Sequence, residues 1–236
     1  MLFVLAARRP PSVSRCFGKD VQFPRHARSR TMGLVFYYAP WCSAVTCHWA
    51  LEELGVPYEK VKLNLAEKDT HKPAFLALNP NAKVPLLVHD GVPIFESIAI
   101  LAHLGETFGV ERNLFPAPGL LRAQALQWLA WANVSLGSAV RRYLDNTSEQ
   151  IPAELRNPKA AAVHEKDVLA LLGILDHHLA GRKWMVGDEF GLADVHLAGA
   201  IGWIRRLGFD VERFANITAW LAKACARPAF ATVMAS

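Results

Sequence analysis

The side chains best suited to ligand chemistry lie at Glu96-Ser97, where a run of strand-forming residues gives way to a helix. A helix N-terminus exposes unpaired backbone N–H groups that attract an anion, and the Ser97 hydroxyl adds a further donor. Glu96 supplies a carboxylate for a neighbouring ammonium group. These groups together suit an amino-acid-like ligand end that carries both charges. The simpler alternative is that Glu96 and Ser97 only cap the helix.

The composition excludes several classes of protein. The 236 residues are 52% hydrophobic and 20% charged, as in ordinary globular proteins, and no apolar run approaches the ~18 residues of a membrane-spanning helix. No phosphate-binding loop, serine triad or metal-ligand spacing is present, so we expect no metal. The cysteines follow no disulfide framework, which indicates free thiols in a reducing compartment such as the cytoplasm. They are Cys16, Cys42, Cys47 and Cys225.

Residues 1–31 differ from the rest of the chain because they contain seven basic side chains and one acid. Without them the net charge is −1, and no basic cluster predicts a nucleic-acid partner. The Arg- and Ser-rich composition fits a mitochondrial transit peptide. Met32, which directly precedes a strand-like run, instead fits a start codon assigned too far upstream. An ordered extension is the third interpretation.

The residues after Met32 predict two structural halves. The first half has the order strand, helix, strand, then a hairpin and a helix, and a strand–helix–strand unit pairs its strands in parallel. Gly55 is predicted to end the first helix, and Asp90-Gly91 to form the turn of the hairpin. Pro116 and Pro118 mark a linker, and the second half is helical throughout. The predicted fold class is therefore α/β followed by all-α, with domains at 32–112 and 120–236 and a linker at 113–119. The predicted strands are Leu34–Tyr38, 61–65, 84–88 and Val92–Phe95. The predicted helices are 43–54, 96–108, 120–143, 160–179, 192–208 and 216–227, the last of them capped by Asn216.

Four motifs in this order resemble the soluble, cytosolic-type glutathione S-transferase family, in particular its bacterial beta-class-like members. The resemblance covers the chain from Met32 to the C-terminus. It implies a thioredoxin-like N-terminal domain, glutathione as co-substrate and a homodimer. The motifs are Tyr37-Tyr38-Ala39-Pro40 with Leu51-Glu52-Glu53-Leu54-Gly55, then Asn79-Pro80-Asn81-Ala82-Lys83-Val84-Pro85, then Phe95-Glu96-Ser97-Ile98-Ala99-Ile100, then Gly187 with Phe190-Gly191-Leu192-Ala193-Asp194.

The resemblance gives each part of glutathione a set of residues. Glu96 and Ser97 receive the γ-glutamyl end. Val84-Pro85 has the place of the fold's cis-proline, whose preceding residue pairs with the cysteinyl backbone as in strand addition. Lys72 and Lys83 offer charge to the glycyl carboxylate, unless they are ordinary surface lysines.

The residue that activates the thiol stays open between several candidates. The family uses a hydroxyl or thiol near the start of the first helix, which donates a hydrogen bond to sulfur and favours thiolate. The motif alignment places Ser43 where beta-class members have a cysteine. Cys42 follows Ala-Pro-Trp as the attacking cysteine of thioredoxins does, but it lacks the second cysteine. The remaining candidates are the hydroxyls of Tyr38 and Tyr37, and backbone donors acting alone.

The pocket for the electrophile is expected between the domains, along helix 120–143. Its candidate residues are Trp128, Trp131, Ser135 and Arg142. Aromatic residues at helical spacing are also typical of a core, so a purely structural role for the tryptophans stays open. Gly191 departs from the family, which has serine or threonine at this helix cap, although glycine costs only a few tenths of a kcal/mol there, roughly.

The predicted activity is conjugation of glutathione to a hydrophobic electrophile in detoxification. One alternative is a glutathione-dependent thiol-disulfide reductase or peroxidase that uses Cys42. Another is a non-catalytic protein-interaction module of the same fold. An interaction module has no need of Glu96-Ser97 and Val84-Pro85, so their presence favours an enzyme.

Overall fold

A mixed β-sheet organises the N-terminal half of the protein. The computed structural model describes residues 33–40 and 42–235, so the predictions for residues 1–31, Cys16 among them, lie outside the described residues. Within them the sheet has four strands in the order β2-β1-β3-β4, with β1 parallel to β2 and the other neighbours antiparallel. The strands are β1 (Leu34–Tyr38), β2 (Glu59–Lys62), β3 (Leu86–His89) and β4 (Val92–Phe95).

The two turns that the sequence predicts around this sheet are present. Asp90 and Gly91 connect β3 to β4 with φ of 49° and 82°, the left-handed backbone that the Asp-Gly pair favours. Helix α1 (Ala44–Leu54) ends at Gly55, whose φ is 61° and whose N–H donates to the Leu51 carbonyl.

Strand β2 begins two residues earlier than predicted and ends earlier as well. Its position follows from its pairing with β1, in which Val35 lies opposite Glu59 and Tyr38 lies opposite Lys62. The end of β1 therefore decides where β2 ends. The alternating apolar residues after Val61, which led to the longer prediction, continue beyond the end of the strand.

Helices surround α1 and build the C-terminal half. A π-helical turn follows α3, and α4 continues through a π-helical segment at Ala132–Gly137 into α5. No helix among the described residues is long and apolar enough to cross a bilayer. The helices are α2 (Pro73–Leu76), α3 (Ser97–Leu104), α4 (Leu120–Trp131), α5 (Ser138–Thr147), α6 (Pro158–Leu179), α7 (Leu192–Arg206), α8 (Ala215–Cys225) and α9 (Pro228–Met234).

Helix α7 approaches α1 closely enough to connect the two halves. A Cβ atom built at Gly199 would lie 2.4 Å from Thr46 Cγ2, so a larger residue there would force Thr46 or α7 to shift. Thr46 is buried next to Gly199. His48 is also buried, and its ring packs against those of Phe36, Tyr38 and Tyr58. The α1 helix is covered on one side by the sheet and on the other by α7 and α9.

Two helix starts depend on residues far away in the sequence. Asn216, predicted as a cap, lies inside α8, and its backbone N–H and that of Ile217 both donate to Asp176 Oδ1 of α6 (2.9 and 3.0 Å). At the start of α7, a Cβ on Gly191 would lie 3.0 Å from the Leu114 carbonyl oxygen. This close approach explains why glycine replaces the usual serine or threonine at that cap.

Candidate active site

The start of α3 presents donors to a ligand because its side chains do not cap it. Glu96 is exposed and makes no cap hydrogen bond with any residue that the structure describes. Its φ of 70° is a strained value for a residue with a Cβ, and such strain is concentrated at functional sites. Ser97 is buried as the first residue of the helix. A side-chain cap therefore does not account for this pair, and its role in ligand binding stays a prediction.

The loop before β3 brings a second backbone segment to the site. The Val84-Pro85 peptide bond is cis. Asn79 is buried, donates from Nδ2 to the Lys83 carbonyl (2.7 Å) and accepts from the Asn81 N–H (3.1 Å). These bonds fix the loop from within, and the prediction from sequence did not include Asn79.

Ser43 lies next to this loop at the start of α1. Its hydroxyl is exposed and donates to the Val84 carbonyl over 3.4 Å. The Ser43 side chain caps no N–H of its own helix. Its hydroxyl points instead to the segment that precedes Pro85. The structure thus brings Ser43 and Val84 together, although 41 residues separate them in the sequence.

Cys42 is half-buried within the same turn. Its Sγ donates to the Ala39 carbonyl at 3.0 Å and accepts the Ala44 N–H at 3.4 Å. Cys47 is buried completely, and burial raises the pKa of its thiol, so it stays protonated. Burial also raises the pKa of Cys225. Cys42 is therefore the thiol best placed for reaction among the described cysteines.

The two tyrosines of β1 lie on opposite faces of the sheet. Tyr38 is buried on the side of α1, with its ring 5.3 Å from that of His48. Tyr37 packs against Phe75 of α2, and burial together with nearby Glu59 raises the pKa of its hydroxyl. The contacts of both rings are structural, and the role of Tyr38 in thiol activation stays a prediction.

Three polar residues that the sequence analysis did not select lie behind Ser97. Asn133 of the π-helical segment donates from Nδ2 to Ser97 Oγ at 3.0 Å. His196 of α7 contacts Asn133 through Nε2 (2.8 Å) and Thr46 of α1 through Nδ1 (3.3 Å). In the sequence they stand out only as polar residues within helices. That pattern does not show that three helical segments bring them together.

The two predicted lysines are exposed on the surface of the N-terminal half. Lys72 forms an ion pair with Asp69 (2.6 Å), and this contact raises the pKa of Lys72. Lys83 is exposed, and its carbonyl accepts the bond from Asn79. Contact of either lysine with a glycyl carboxylate stays a prediction.

The candidates for the electrophile pocket separate into buried and open positions. Trp128 is buried in the core, with its ring 4.3 Å from that of His178 of α6 and 5.2 Å from that of Trp131. Trp131 and Ser135 are half-buried, whereas Arg142 is exposed on α5. The described residues include no group of three or more His, Cys, Asp or Glu side chains able to hold a metal ion.

A thioredoxin-like sheet with a cis-proline, followed by a helical domain, defines the class of protein. Two family models match this chain: "Glutathione S-transferase, N-terminal domain" at residues 33–106 and "Glutathione S-transferase, C-terminal domain" at residues 143–228. The glutathione S-transferase GstB of Escherichia coli K12 is 36% identical over 186 residues, which are 78% of this chain and 88% of the relative. A probable glutathione S-transferase of Nicotiana tabacum is 31% identical over 195 residues, 79% of this chain and 80% of the relative. The chain belongs to the glutathione S-transferase family.

Solved structures agree with this assignment and confirm the predicted fold. A sphingomonad glutathione S-transferase complexed with glutathione is 29% identical, with a TM-score of 0.75, and the match covers 85% of this chain and 97% of that one. The bacterial beta-class enzyme of Sphingomonas chungbukensis is 26% identical, with a TM-score of 0.73 and the same coverage of both chains. The beta-class-like resemblance seen in the motifs is therefore confirmed.

Proposed function

We propose that this protein binds glutathione and conjugates its thiol to a hydrophobic electrophile. The observation that carries the proposal is the 3.4 Å contact between the Ser43 hydroxyl and the Val84 carbonyl, next to the cis Val84-Pro85 bond. In this arrangement a peptide backbone that pairs with Val84 has its side chain close to Ser43. The relative in complex with glutathione supports the choice of ligand.

The chemistry needs a thiolate and a group that stabilises it. Ser43 turns its hydroxyl from Val84 to the bound sulfur, and the N-terminus of α1 adds its partial positive charge. The thiol proton leaves to solvent, sulfur forms a bond to the electrophilic carbon, and the leaving group departs with its electron pair. Glu96 binds the ammonium of the γ-glutamyl end, while Ser97 and the α3 N–H groups bind its carboxylate.

Replacing Ser97 with alanine tests the binding step. It removes a hydroxyl donor to a carboxylate, an interaction of about 1.5–3 kcal/mol, so the Kd for glutathione is expected to rise by roughly 10- to 150-fold. Isothermal titration measures this change, and circular dichroism checks the fold. Ser138→Ala, an exposed serine on α5, is the matched control and should leave the Kd unchanged. An unchanged Kd in Ser97→Ala would contradict the role of Ser97.

Cys42 supports a second candidate function, because its sulfur accepts the Ala44 N–H at the start of α1. A thiolate there would attack glutathione disulfide, form a mixed disulfide and release one glutathione thiolate. The protein would then act as a glutathione-dependent reductase or peroxidase.

Alanine variants of Ser43 and Cys42, each measured in both reactions, separate the two functions. Ser43→Ala removes one charge-assisted hydrogen bond of about 1.5–3 kcal/mol, so the pKa of the bound thiol is expected to rise by roughly 1–2 units. Conjugation of a chlorodinitrobenzene-type electrophile should fall accordingly in Ser43→Ala and persist in Cys42→Ala. The thiolate absorbance against pH gives the pKa directly.

The opposite pattern would establish the redox function. Cys42→Ala would then abolish disulfide reduction, and mass spectrometry of the wild type would find glutathione attached at Cys42. Activity in neither reaction, with no glutathione bound, would indicate the non-catalytic interaction module. Full conjugating activity in Ser43→Ala would remove Ser43 from catalysis and direct attention to Tyr38.

We also propose that the protein is a cytoplasmic homodimer with a role in detoxification. Strand β4 is an edge of the sheet, and Val92 and Phe95 on it are exposed. Leu120, Leu121 and Val134 are exposed on the adjoining helical domain. Exposed apolar residues of this kind are typical of an interface, here with a second copy of the chain. The unpaired thiols among the described residues support a reducing compartment.

A further inference from the structure

A chain of hydrogen bonds runs through the interior from Ser97 to α1. Asn133 Nδ2 donates to Ser97 Oγ, and Asn133 Oδ1 lies 2.8 Å from His196 Nε2. His196 Nδ1 lies 3.3 Å from Thr46 Oγ1, which in turn lies 3.3 Å from the Ser43 carbonyl. Ser97, Thr46 and His196 are buried. An unpaired polar group is costly at such a depth, so each bond constrains the next.

The position of the ring proton on His196 gives this chain a direction. Burial lowers the pKa of His196 to about 4, so the ring is neutral near pH 7 and carries one N–H. Because Asn133 presents its carbonyl oxygen to Nε2, the proton lies on Nε2 and Nδ1 is an acceptor. The Thr46 hydroxyl has one proton, and both Nδ1 and the Ser43 carbonyl lie within its reach as acceptors. From His196 onwards, both donors, His196 Nε2 and Asn133 Nδ2, point towards Ser97.

The direction matters because it decides what Ser97 can offer to a ligand. The Ser97 oxygen accepts from Asn133, so the hydroxyl proton is left for a group at the start of α3. In the reversed chain, Ser97 would donate to Asn133 and would present only its oxygen to the ligand. A carboxylate accepts hydrogen bonds and cannot donate them, so the reversed chain would repel it.

We infer that His196 and Asn133 are positioning residues of the ligand site, which hold the Ser97 hydroxyl with its proton directed at the ligand carboxylate. The inference rests on the proposed function, because it assumes that the γ-glutamyl end of glutathione binds at α3. His196 is buried and acts through Asn133 and Ser97 without contacting the ligand. Both residues belong to the helical half, so the two halves build the site jointly.

A double-mutant cycle between His196 and Ser97 tests this role. His196→Leu removes the ring that orients Asn133, and the Kd for glutathione is expected to rise by about 2- to 12-fold, the range of one neutral hydrogen bond. The same substitution in the Ser97→Ala background should cause no further loss, because its effect passes through Ser97. His196→Gln, which has a donor near the Nε2 position, should restore the wild-type Kd to within about 2-fold.

Two further measurements show whether a change in Kd comes only from a loss of folded structure. Asn133→Ala, at a half-buried position, replaces His196→Leu in the cycle if the latter does not fold. Nitrogen-15 spectra of the wild-type imidazole should show the neutral tautomer protonated at Nε2, a property that packing alone does not determine.

The outcomes distinguish this inference from the proposed function. Three outcomes would each overturn the positioning role while glutathione binding stands. The first is an equal loss of affinity from His196→Leu in the wild-type and Ser97→Ala backgrounds. The others are an unchanged Kd in both His196→Leu and Asn133→Ala, and a ring proton on His196 Nδ1. Failure of the wild-type protein to bind glutathione would overturn both. A non-additive cycle together with the Nε2 tautomer supports the inference.

Discussion

Replacement of Asp194 with alanine is expected to lower the free energy of unfolding by about 3–5 kcal/mol, because it leaves several buried donors without an acceptor. The Asp194 carboxylate accepts from the Trp220 indole N–H (2.7 Å), the Met185 N–H (2.9 Å) and the Gly191 N–H (3.0 Å). Burial raises the pKa of Asp194 to about 6 against the opposite effect of these bonds, so the group is ionised at pH 7. One carboxylate therefore connects the start of α7, the preceding loop and α8.

Urea denaturation followed by far-ultraviolet circular dichroism measures this loss without relying on the fluorescence of Trp220. Asp188→Ala, which changes an exposed aspartate of the same loop, is the control and should alter stability by less than about 0.5 kcal/mol. Asp194→Asn keeps one acceptor oxygen but turns an NH₂ group towards a backbone donor, so its loss should be intermediate. A loss in Asp194→Ala no larger than that of the control would contradict this account.

Replacement of Arg227 with alanine is expected to cost about 3 kcal/mol of stability, because it leaves a buried carboxylate without its cation. Glu53 of α1 is 5% exposed and accepts two bonds from Arg227 (2.7 and 2.6 Å) and one from the Trp49 indole (3.0 Å). The Arg227 guanidinium lies 4.0 Å from the centre of the Phe190 ring. We expect a stability loss at the lower end of the range for buried ion pairs, because the Arg227 side chain is 35% exposed. Water can therefore replace part of its interaction with Glu53.

The chain contains a matched ion pair for comparison. Arg141 and Asp145 on α5 are 2.7 Å apart but are 70% and 43% exposed, so Arg141→Ala should cost less than about 1 kcal/mol. The double variant Glu53→Gln with Arg227→Met removes the buried charge together with its partner and should recover most of the stability lost in Arg227→Ala. Equal effects of Arg227→Ala and Arg141→Ala in urea denaturation would show that burial of Glu53 does not matter.

The sequence determined those features whose causes lie within a few residues. The Asp90-Gly91 hairpin and the end of α1 at Gly55 depend on backbone conformations that those residues favour, so both were predicted correctly. The pattern of strands and helices predicted the α/β and all-helical halves, and the family resemblance added the thioredoxin-like topology and the proposed glutathione site. Within that site, the sequence selected Glu96-Ser97 and Val84-Pro85 because each motif is contiguous.

The tertiary structure decided every feature that depends on residues distant in the chain. Pairing with β1 placed β2, the Asp176 carboxylate from α6 capped α8 in place of Asn216, and the Leu114 carbonyl required glycine at 191. The same holds for the hydrogen bonds that connect Thr46, His196 and Asn133 to Ser97 over as many as 150 positions. Helical periodicity indicates which residues share a face, but a hydrogen bond between helices depends on their packing. That packing brought the polar residues behind the site into contact.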